Sequence, residues 1–209
     1  TLTERKSKAQ KFNGKQMRTS KIERMTNETK INVVVDLDGV GSSKIKTNIP
    51  FFDHMLEQLT FHSAVNRELD VRGDVEIDCH HTVEDCGICL GKAFLEAVGD
   101  KKGINRYGFF LLPMDDALIR IALDFSGRSF LNWKVKFPTN SVGNFDLELV
   151  REFFYAFSSN SKATIHVEVL DGFNAHHITE AIFKAMGKAI KMALAKDQCS
   201  DTIPSTKGS

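Results

Sequence analysis

The sequence contains the pattern His-His-x-x-Glu twice, at residues 80–84 and at residues 176–180. On a helix, residues i and i+4 lie above one another, whereas residue i+1 is turned away by about 100°. The first histidine and the glutamate of each copy can therefore hold one metal ion together, while the second histidine points elsewhere. Imidazole and carboxylate ligands suit Mn, Fe, Zn or Ni better than Ca or Mg, which prefer oxygen ligands.

The second histidine of each copy gains a role if the two helices approach each other symmetrically, because it can then complete the site of the other copy. The resulting ligand sets are His80, Glu84 and His177 for one ion, and His176, Glu180 and His81 for the other. A further ligand for each ion is expected from the preceding helix. There His54 and Glu152 occupy equivalent places, 26 and 24 residues before the motifs.

A single motif of this kind is more typical of a helix cap or a solvated surface than of a metal site. Two copies at matching places, each preceded by a suitable ligand, favour metal binding. Cys86 and Cys89 also have a spacing found in zinc and redox sites, but the sequence has no second pair. Both cysteines fall inside a predicted helix, so we interpret them as core residues.

The metal motifs belong to a longer internal repeat. Residues 29–39 resemble residues 117–127 at an offset of 88, and residues 80–85 resemble residues 176–181 at an offset of 96. The order strand, helix, strand, HHxxE helix occurs in both halves. Such self-similarity indicates the duplication of one α+β unit.

Hydrophobic periodicity predicts the elements that must position these residues. Alternating apolar residues predict strands from Lys30 onward and at residues 69–78, 104–112, 117–125, 129–137 and 163–170. Helical spacing predicts helices at residues 51–59, 81–98, 145–158 and 176–195. Val75 and Ile77 are expected to face inward on the strand at 69–78.

Composition limits the class of protein. The 209 residues carry 28 Lys and Arg against 27 Asp and Glu, a net charge of +1. No apolar run approaches the roughly 18–20 residues of a membrane span, and the balanced charge argues against nucleic acid as a partner. Four cysteines are too few for a disulfide scaffold and indicate a reducing compartment. We expect the cytoplasm, or a plastid if the source is a plant or alga.

The polar ends of the chain differ from its middle. Residues 1–24 are Lys-rich and predict a flexible arm, with a transit-peptide remnant as the disfavoured alternative because Arg is scarce there. Residues 25–198 are predicted to form one domain of two repeats, about 25–112 and 113–198, followed by a tail at 199–209. The hydroxyls and the ammonium group of that tail, together with Arg106, Arg128 and Lys184, are groups that bind phosphate well.

Six segments of the chain carry a family resemblance. They are FDHML at 52–56, DCHHTVED at 78–85, KGINRYG at 102–108, DFSGR at 124–128, NAHHITEA at 174–181 and IPSTKG at 203–208. They are similar to the signatures of the imidazoleglycerol-phosphate dehydratase family of histidine biosynthesis, and the similarity runs from about residue 22 to residue 208.

The resemblance implies a fold, a reaction and an assembly. The fold is a duplicated α+β unit with helices packed between two mostly four-stranded sheets, like domain 2 of ribosomal protein S5. The reaction removes water from imidazole-glycerol phosphate, a small phosphorylated imidazole, to give imidazole-acetol phosphate. The family uses two Mn²⁺ ions per active site and forms homo-oligomers of 24 subunits, with active sites between subunits.

The resemblance also assigns roles to individual residues. One ion is assigned to His54, His81, His176 and Glu180, and the other to His80, Glu84 and His177, with Glu152 standing where many relatives have His. Glu28 matches the general acid/base, and His81 and Glu180 are also counted as catalytic. The phosphate-binding set comprises His62, Arg106, Arg128, Lys184, Ser205, Thr206 (where Ser is usual) and Lys207.

Two other interpretations remain open from the residues. A different dinuclear metalloenzyme, either a hydrolase or an oxygenase, can use the same His and Glu ligands. A non-catalytic metal-binding oligomer can use them too, but it has no need of Glu28 or of the phosphate-binding residues.

Overall fold

The computed structural model describes residues 11–12, 15–197 and 202–205. Its helices are α1 (Pro50–Ser63), α2 (His80–Val98), α3 (Glu148–Ser161) and α4 (Ala175–Leu194). The longer strands are β3 (Thr19–Met25), β4 (Thr29–Asp36), β5 (Ser43–Lys46), β6 (Asn66–Gly73), β7 (Tyr107–Met114), β8 (Ala117–Asp124), β9 (Phe130–Lys134) and β12 (Thr164–Asp171). Two small hairpins join β1 (Lys11–Phe12) to β2 (Lys15–Gln16), and β10 (Ser141–Val142) to β11 (Phe145–Asp146).

The two four-stranded sheets have the same strand order. The first is β3-β4-β6-β5 and the second is β7-β8-β12-β9, and in each the last strand runs parallel to its neighbour while the others are antiparallel. Thr19 pairs with Asp36 in one sheet, and Tyr107 pairs with Asp124 in the other. The register is therefore repeated at an offset of 88. The predicted duplication of an α+β unit is confirmed.

The helices lie between the two sheets. In the first half α2 packs on β3, β4 and β6, and in the second half α4 packs on β7 and β8. The halves meet where α2 contacts α3 and where α1 contacts α4. Alternate side chains of the central strands are fully buried against these helices, among them Ile31, Val33 and Val35 of β4.

Each pair of helices crosses at a glycine, and the two glycines are equivalent in the repeat. A Cβ on Gly91 of α2 would lie 2.7 Å from the carbonyl oxygen of Phe157 in α3. A Cβ on Gly187 of α4 would lie 2.9 Å from the carbonyl oxygen of Leu59 in α1. Because only glycine lets the backbones approach so closely, these positions set the distance between the two helices of each pair.

One core position carries a charge. Arg67 lies on the inward face of β6, where it is only 2% exposed, and its Nη1 donates a hydrogen bond to Thr60 Oγ1 at 2.9 Å. Its guanidinium lies 5.2 Å from the ring centroid of Phe94. Among the described residues its Nε and Nη2 have no hydrogen-bond partner. Burial lowers the pKa of Arg67 to about 9, because the interior disfavours the charged form.

All the predicted helices occur, with shifted ends. The helix expected at 145–158 begins instead at Glu148, because Phe145 and Asp146 pair with the preceding residues as β11. The helix expected at 51–59 begins at Pro50, whose missing N–H is harmless in a first turn, and continues to Ser63.

Two predictions of local structure need correction. The arm predicted for residues 1–24 does not include residues 19–24, because these form β3 and pair with β4 along the sheet edge. The strand predicted at 69–78 ends at Gly73, where Asp74 begins a turn closed by the backbone N–H of Ile77. Ile77 is consequently 73% exposed rather than inward-facing. Residues 1–10 of the arm lie outside the described residues.

The described part of the chain contains no helix with the length and apolar character needed to cross a membrane.

Candidate metal centre

Three of the predicted metal ligands come together within one chain. His54 on α1 and His176 on α4 direct Nε2 toward the same carboxylate oxygen, Glu180 Oε2, at 3.4 and 3.1 Å. One ligand atom from each residue lies within 4.8 Å of the others, and no other such group of three occurs in the described residues. The close crossing of α1 and α4 at Gly187 brings the two helices into this arrangement. Two imidazoles and a carboxylate fit a transition-metal ion.

The equivalent place in the other half holds a looser group. His80 and Glu84 lie one turn apart on α2, with Nε2 and Oε2 3.9 Å apart. Glu152 is the repeat equivalent of His54 and lies on α3, the partner helix of α2. Its Oε1 accepts a hydrogen bond from Arg151 Nη1 at 2.8 Å.

The second histidine of each motif is held by an aspartate. His81 Nδ1 lies 3.0 Å from Asp74 Oδ2, and His177 Nδ1 lies 2.6 Å from Asp116 Oδ1. A carboxylate at one ring nitrogen favours the tautomer that leaves Nε2 as the metal-binding atom. Neither Asp74 nor Asp116 is among the predicted site residues. The only feature of the sequence that could have marked these two aspartates is their position in turns, at Gly73-Asp74 and Asp115-Asp116.

Neither predicted ligand set is complete among the described residues of one chain. His81 does not join the cluster of His54, His176 and Glu180. It contacts Asp74, and its Nε2 lies 3.8 Å from Glu28 Oε1 in the turn between β3 and β4. The reason is the helix packing, because α2 is paired with α3 whereas α4 is paired with α1.

Hydrogen bonds and neighbouring charges shift the pKa values of three residues in and around the site. Burial raises the pKa of Glu180, but the hydrogen bond and charge of Lys184, together with His176 and His54, outweigh burial and leave the pKa below its usual value. The hydrogen bond to Asp74 raises the pKa of His81. The hydrogen bond from His177, followed by those from two backbone N–H groups, holds the pKa of Asp116 well below its usual range.

Two of the predicted phosphate-binding residues lie close to the metal cluster. Lys184 is one turn beyond Glu180 on α4, and its Nζ lies 2.7 Å from Glu180 Oε1. His62 lies near the C-terminal end of α1, where Lys188 and Lys184 add to burial in lowering its pKa. Both residues therefore accompany the cluster along the α1–α4 interface.

The remaining phosphate-binding candidates are Arg106, Arg128 and residues of the tail. Arg106 holds both oxygens of Asp124, at 2.7 and 3.1 Å, and its Nη1 donates to the carbonyl oxygen of Pro204 at 2.9 Å. Ser205, which is predicted to bind phosphate, directly follows Pro204. Arg128 is exposed, and its backbone N–H donates to Ser126 Oγ. Thr206 and Lys207 lie outside the described residues.

The cysteine pair packs in the core as expected. Cys86 and Cys89 are fully buried on α2. Burial raises the pKa of Cys86, and it raises the pKa of Cys89 to about 12. Such thiols remain protonated, which removes them from metal or redox chemistry.

Fold and site together define a duplicated α+β protein in which two histidines and a glutamate that could hold a metal ion meet at a helix crossing. The family described as imidazoleglycerol-phosphate dehydratase matches residues 47–190. The imidazoleglycerol-phosphate dehydratase of Cereibacter sphaeroides (strain ATCC 17029) is 54% identical over 92% of this chain and 99% of its own length. That of Methylococcus capsulatus is 49% identical over 91% of this chain and 98% of its own length.

Solved structures agree with these relatives. The imidazoleglycerol-phosphate dehydratase of Staphylococcus aureus matches with a TM-score of 0.79 and 38% identity, over 86% of this chain and 99% of that one. The Pyrococcus furiosus enzyme in complex with (S)-C348 matches with a TM-score of 0.77 and 35% identity, over 90% and 99% of the two chains. The chain belongs to the imidazoleglycerol-phosphate dehydratase family of histidine biosynthesis, whose members are hydro-lyases.

Proposed function

We propose that this protein removes water from imidazole-glycerol phosphate to give imidazole-acetol phosphate. The convergence of His54, His176 and Glu180 carries the proposal, because these three side chains could hold a metal ion in a chain of this family. We expect the enzyme to act in the cytoplasm, or in a plastid if its source is a plant or alga.

The metal is Mn²⁺ in this proposal, with two ions in each active site. Neutral imidazoles and a carboxylate are acceptable ligands for Mn²⁺, and the low pKa of Glu180 keeps that carboxylate charged. A metal ion held there would supply Lewis acidity toward the imidazole ring of the substrate. His54, His176 and Glu180 would hold one ion, and His80 and Glu84 would contribute to the other.

The active site is completed by a second copy of the chain. The cluster on α1 and α4 lacks His81, which the resemblance assigns to the same ion, and His81 lies with Glu28 at the other helix pair. His81 and Glu28 of one subunit are therefore proposed to meet the cluster of another subunit in a 24-subunit assembly. Tyr107, Phe109 and Leu111 support self-association, because all three are more than half exposed on the outer face of β7.

Glu28 moves the proton in the proposed reaction. The substrate carbon attached to the ring loses its hydroxyl group, and the adjacent chain carbon loses a proton, which Glu28 accepts. These losses together make one water molecule and leave an enol, which becomes the ketone when the ring-attached carbon gains a proton and the enol oxygen loses one. The Glu28 side chain suits this role because it is 52% exposed and lies beside His81 Nε2.

The phosphate group is proposed to bind the cations that flank the metal centre. His62 and Lys184 lie along the α1–α4 interface, Arg106 contacts the tail at Pro204, and Arg128 is exposed in the loop between β8 and β9. Ser205, Thr206 and Lys207 of the tail are proposed to complete this set.

A metal-dependence assay tests the proposal. Purified protein is stripped with a chelator, its metal content is measured, and turnover of imidazole-glycerol phosphate is followed with and without added Mn²⁺. We expect turnover only with metal, and loss of both metal and turnover in His54→Ala. His166→Ala is the matched control, because His166 lies on β12 outside the cluster and contacts Asn132 of β9. Release of inorganic phosphate, or no turnover with Mn²⁺ present, would contradict the proposal.

A further inference from the structure

A buried carboxylate lies one helical turn beyond His81. Asp85 on α2 is 6% exposed, and it accepts two hydrogen bonds and makes one ion pair with the first two strands of the sheet. Thr29 Oγ1 donates at 2.5 Å and Arg24 Nε at 3.0 Å, and Arg24 Nη2 lies 2.9 Å from the oxygen that accepts from Nε. The carboxylate thus ties α2 to both strands of the hairpin that carries Glu28.

The hydrogen bonds continue from Asp85 to the backbone of Glu28. Thr29 Oγ1 lies 3.2 Å from Thr26 Oγ1. Thr26 Oγ1 accepts hydrogen bonds from the backbone N–H groups of Glu28, at 3.2 Å, and of Thr29, at 2.9 Å. This chain of contacts connects the helix that bears His81 with the turn that bears Glu28.

The second half of the molecule builds the same structure without these polar groups. At offsets of 88 and 96, the repeat equivalents of Arg24, Thr29 and Asp85 are Leu112, Ala117 and Ala181. All three equivalents are buried, at 8%, 1% and 0% exposure. An apolar contact between helix and hairpin is therefore sufficient for this fold.

Stability does not account for the polar network. Asp85 is buried whereas the Arg24 side chain is 26% exposed, and replacing a buried ion pair by well-packed apolar side chains is commonly neutral or stabilising. The network occurs in the half whose turn carries Glu28. In the other half, the repeat equivalent of Glu28 is Asp116, which binds His177 and the backbone N–H groups of Phe173 and Asn174.

We propose that Asp85, Arg24 and Thr29 are positioning residues that hold the Glu28 turn at a defined place relative to His81. A hydrogen-bonded network has directional contacts, so it restrains the turn more tightly than an apolar contact does. The inference rests on the proposed role of Glu28 as the general acid/base. It adds three residues that act on the reaction through Glu28 and touch neither substrate nor metal.

The test replaces the three polar residues of the first half by apolar residues, as found at the equivalent positions of the second half. The triple variant Arg24→Leu, Thr29→Ala, Asp85→Ala should keep its assembly state and melting temperature and bind Mn²⁺ with unchanged stoichiometry. Its kcat should fall about 10²-fold, the scale of a misplacement of about 1 Å, while its KM changes little. Ser20→Ala is the matched control, because it removes another hydrogen bond between β3 and α2, from Ser20 Oγ to Glu96, far from the turn.

Repeating the substitutions in a Glu28→Gln variant distinguishes an effect that acts through Glu28 from a general loss of active enzyme. In the Glu28→Gln variant, the same triple substitution should reduce kcat no further, because its effect acts through Glu28. A triple variant with wild-type kcat, or with an equal loss in both backgrounds, overturns the inference and leaves the role of Glu28 intact. Wild-type turnover in Glu28→Gln alone refutes the acid/base assignment and, with it, this inference. If the triple variant fails to fold, the pair Thr26→Val and Thr29→Val, which keeps the ion pair, must show the same dependence on Glu28.

Discussion

Replacing the buried Arg67 by Met is expected to stabilise the protein. The guanidinium lies in the core with one hydrogen bond, to Thr60, and the repeat equivalent of Arg67 is the fully buried Ile165. The lowering of its pKa from the usual value to about 9 corresponds to about 5 kcal/mol by which the folded state disfavours the charge. Met has a similar unbranched shape and no charge, so it fits the same space.

The Met side chain cannot make two favourable interactions of the guanidinium, and their loss reduces the expected gain in the free energy of unfolding. The hydrogen bond to Thr60 contributes about 1 kcal/mol, and the stacking on the Phe94 ring contributes about 1–2 kcal/mol. The Thr60 hydroxyl keeps a partner, because it also donates to the carbonyl oxygen of Leu56. The remaining gain in the free energy of unfolding is about 2 kcal/mol, or an increase in Tm of about 4–8 °C.

The measurement is thermal unfolding at fixed protein concentration and pH 7. Arg72→Met is the matched control, because Arg72 is exposed on the same strand, and its Tm should hardly change. The folded-state pKa of Arg67 is depressed, so the unfolded chain binds more protons above about pH 9 and the wild type regains stability as pH rises through that value. The difference between variant and wild type should therefore narrow above about pH 9. A lower Tm for Arg67→Met at pH 7 would refute the reasoning, because it would mean that the charge is compensated.

Three further predictions concern the site. Glu28→Gln should lower kcat by about 10²–10⁴-fold with bound metal unchanged, as measured by steady-state kinetics and metal analysis; wild-type kcat would exclude the acid/base role. Glu180→Gln should reduce metal content and activity together, because it removes the charged ligand shared by His54 and His176; full metal content would show that the ion is held elsewhere. Gly187→Ala should lower the free energy of unfolding by about 1–3 kcal/mol, because its Cβ would meet Leu59 O at 2.9 Å; chemical denaturation that shows no loss would mean that α1 moves aside freely.

The predictable part of the molecule is the part that depends on local periodicity. The i, i+4 spacing of His176 and Glu180 predicts that they share one helix face, and the structure confirms their contact at 3.1 Å. The repeat at an offset of 88 predicted the shared organisation of the two halves, which the sheet registers confirm.

Contacts between distant segments were harder to predict. Asp74 and Asp116 hold the diverging histidines from turns whose sequences carry no metal-ligand pattern. Arg67 stands on the inward face of a strand, where a charged residue is untypical, because the alternation of its neighbours determined its direction. The predicted arm wrongly included residues 19–24, because five of the seven residues of β3 are polar and the strand is recognisable mainly by its pairing with β4.

The pairing of each helix with a helix of the other half has a consequence for the origin and folding of the chain. Because α1 packs on α4 and α2 on α3, each half covers the helices of the other half across an approximate twofold axis. A single half would leave both of its helices partly exposed to solvent. The ancestral unit is therefore expected to have been a half-length chain that existed as an isologous dimer. In the fused chain the core cannot close until α4 has been synthesised, so folding is expected to depend on contacts between residues far apart in the sequence.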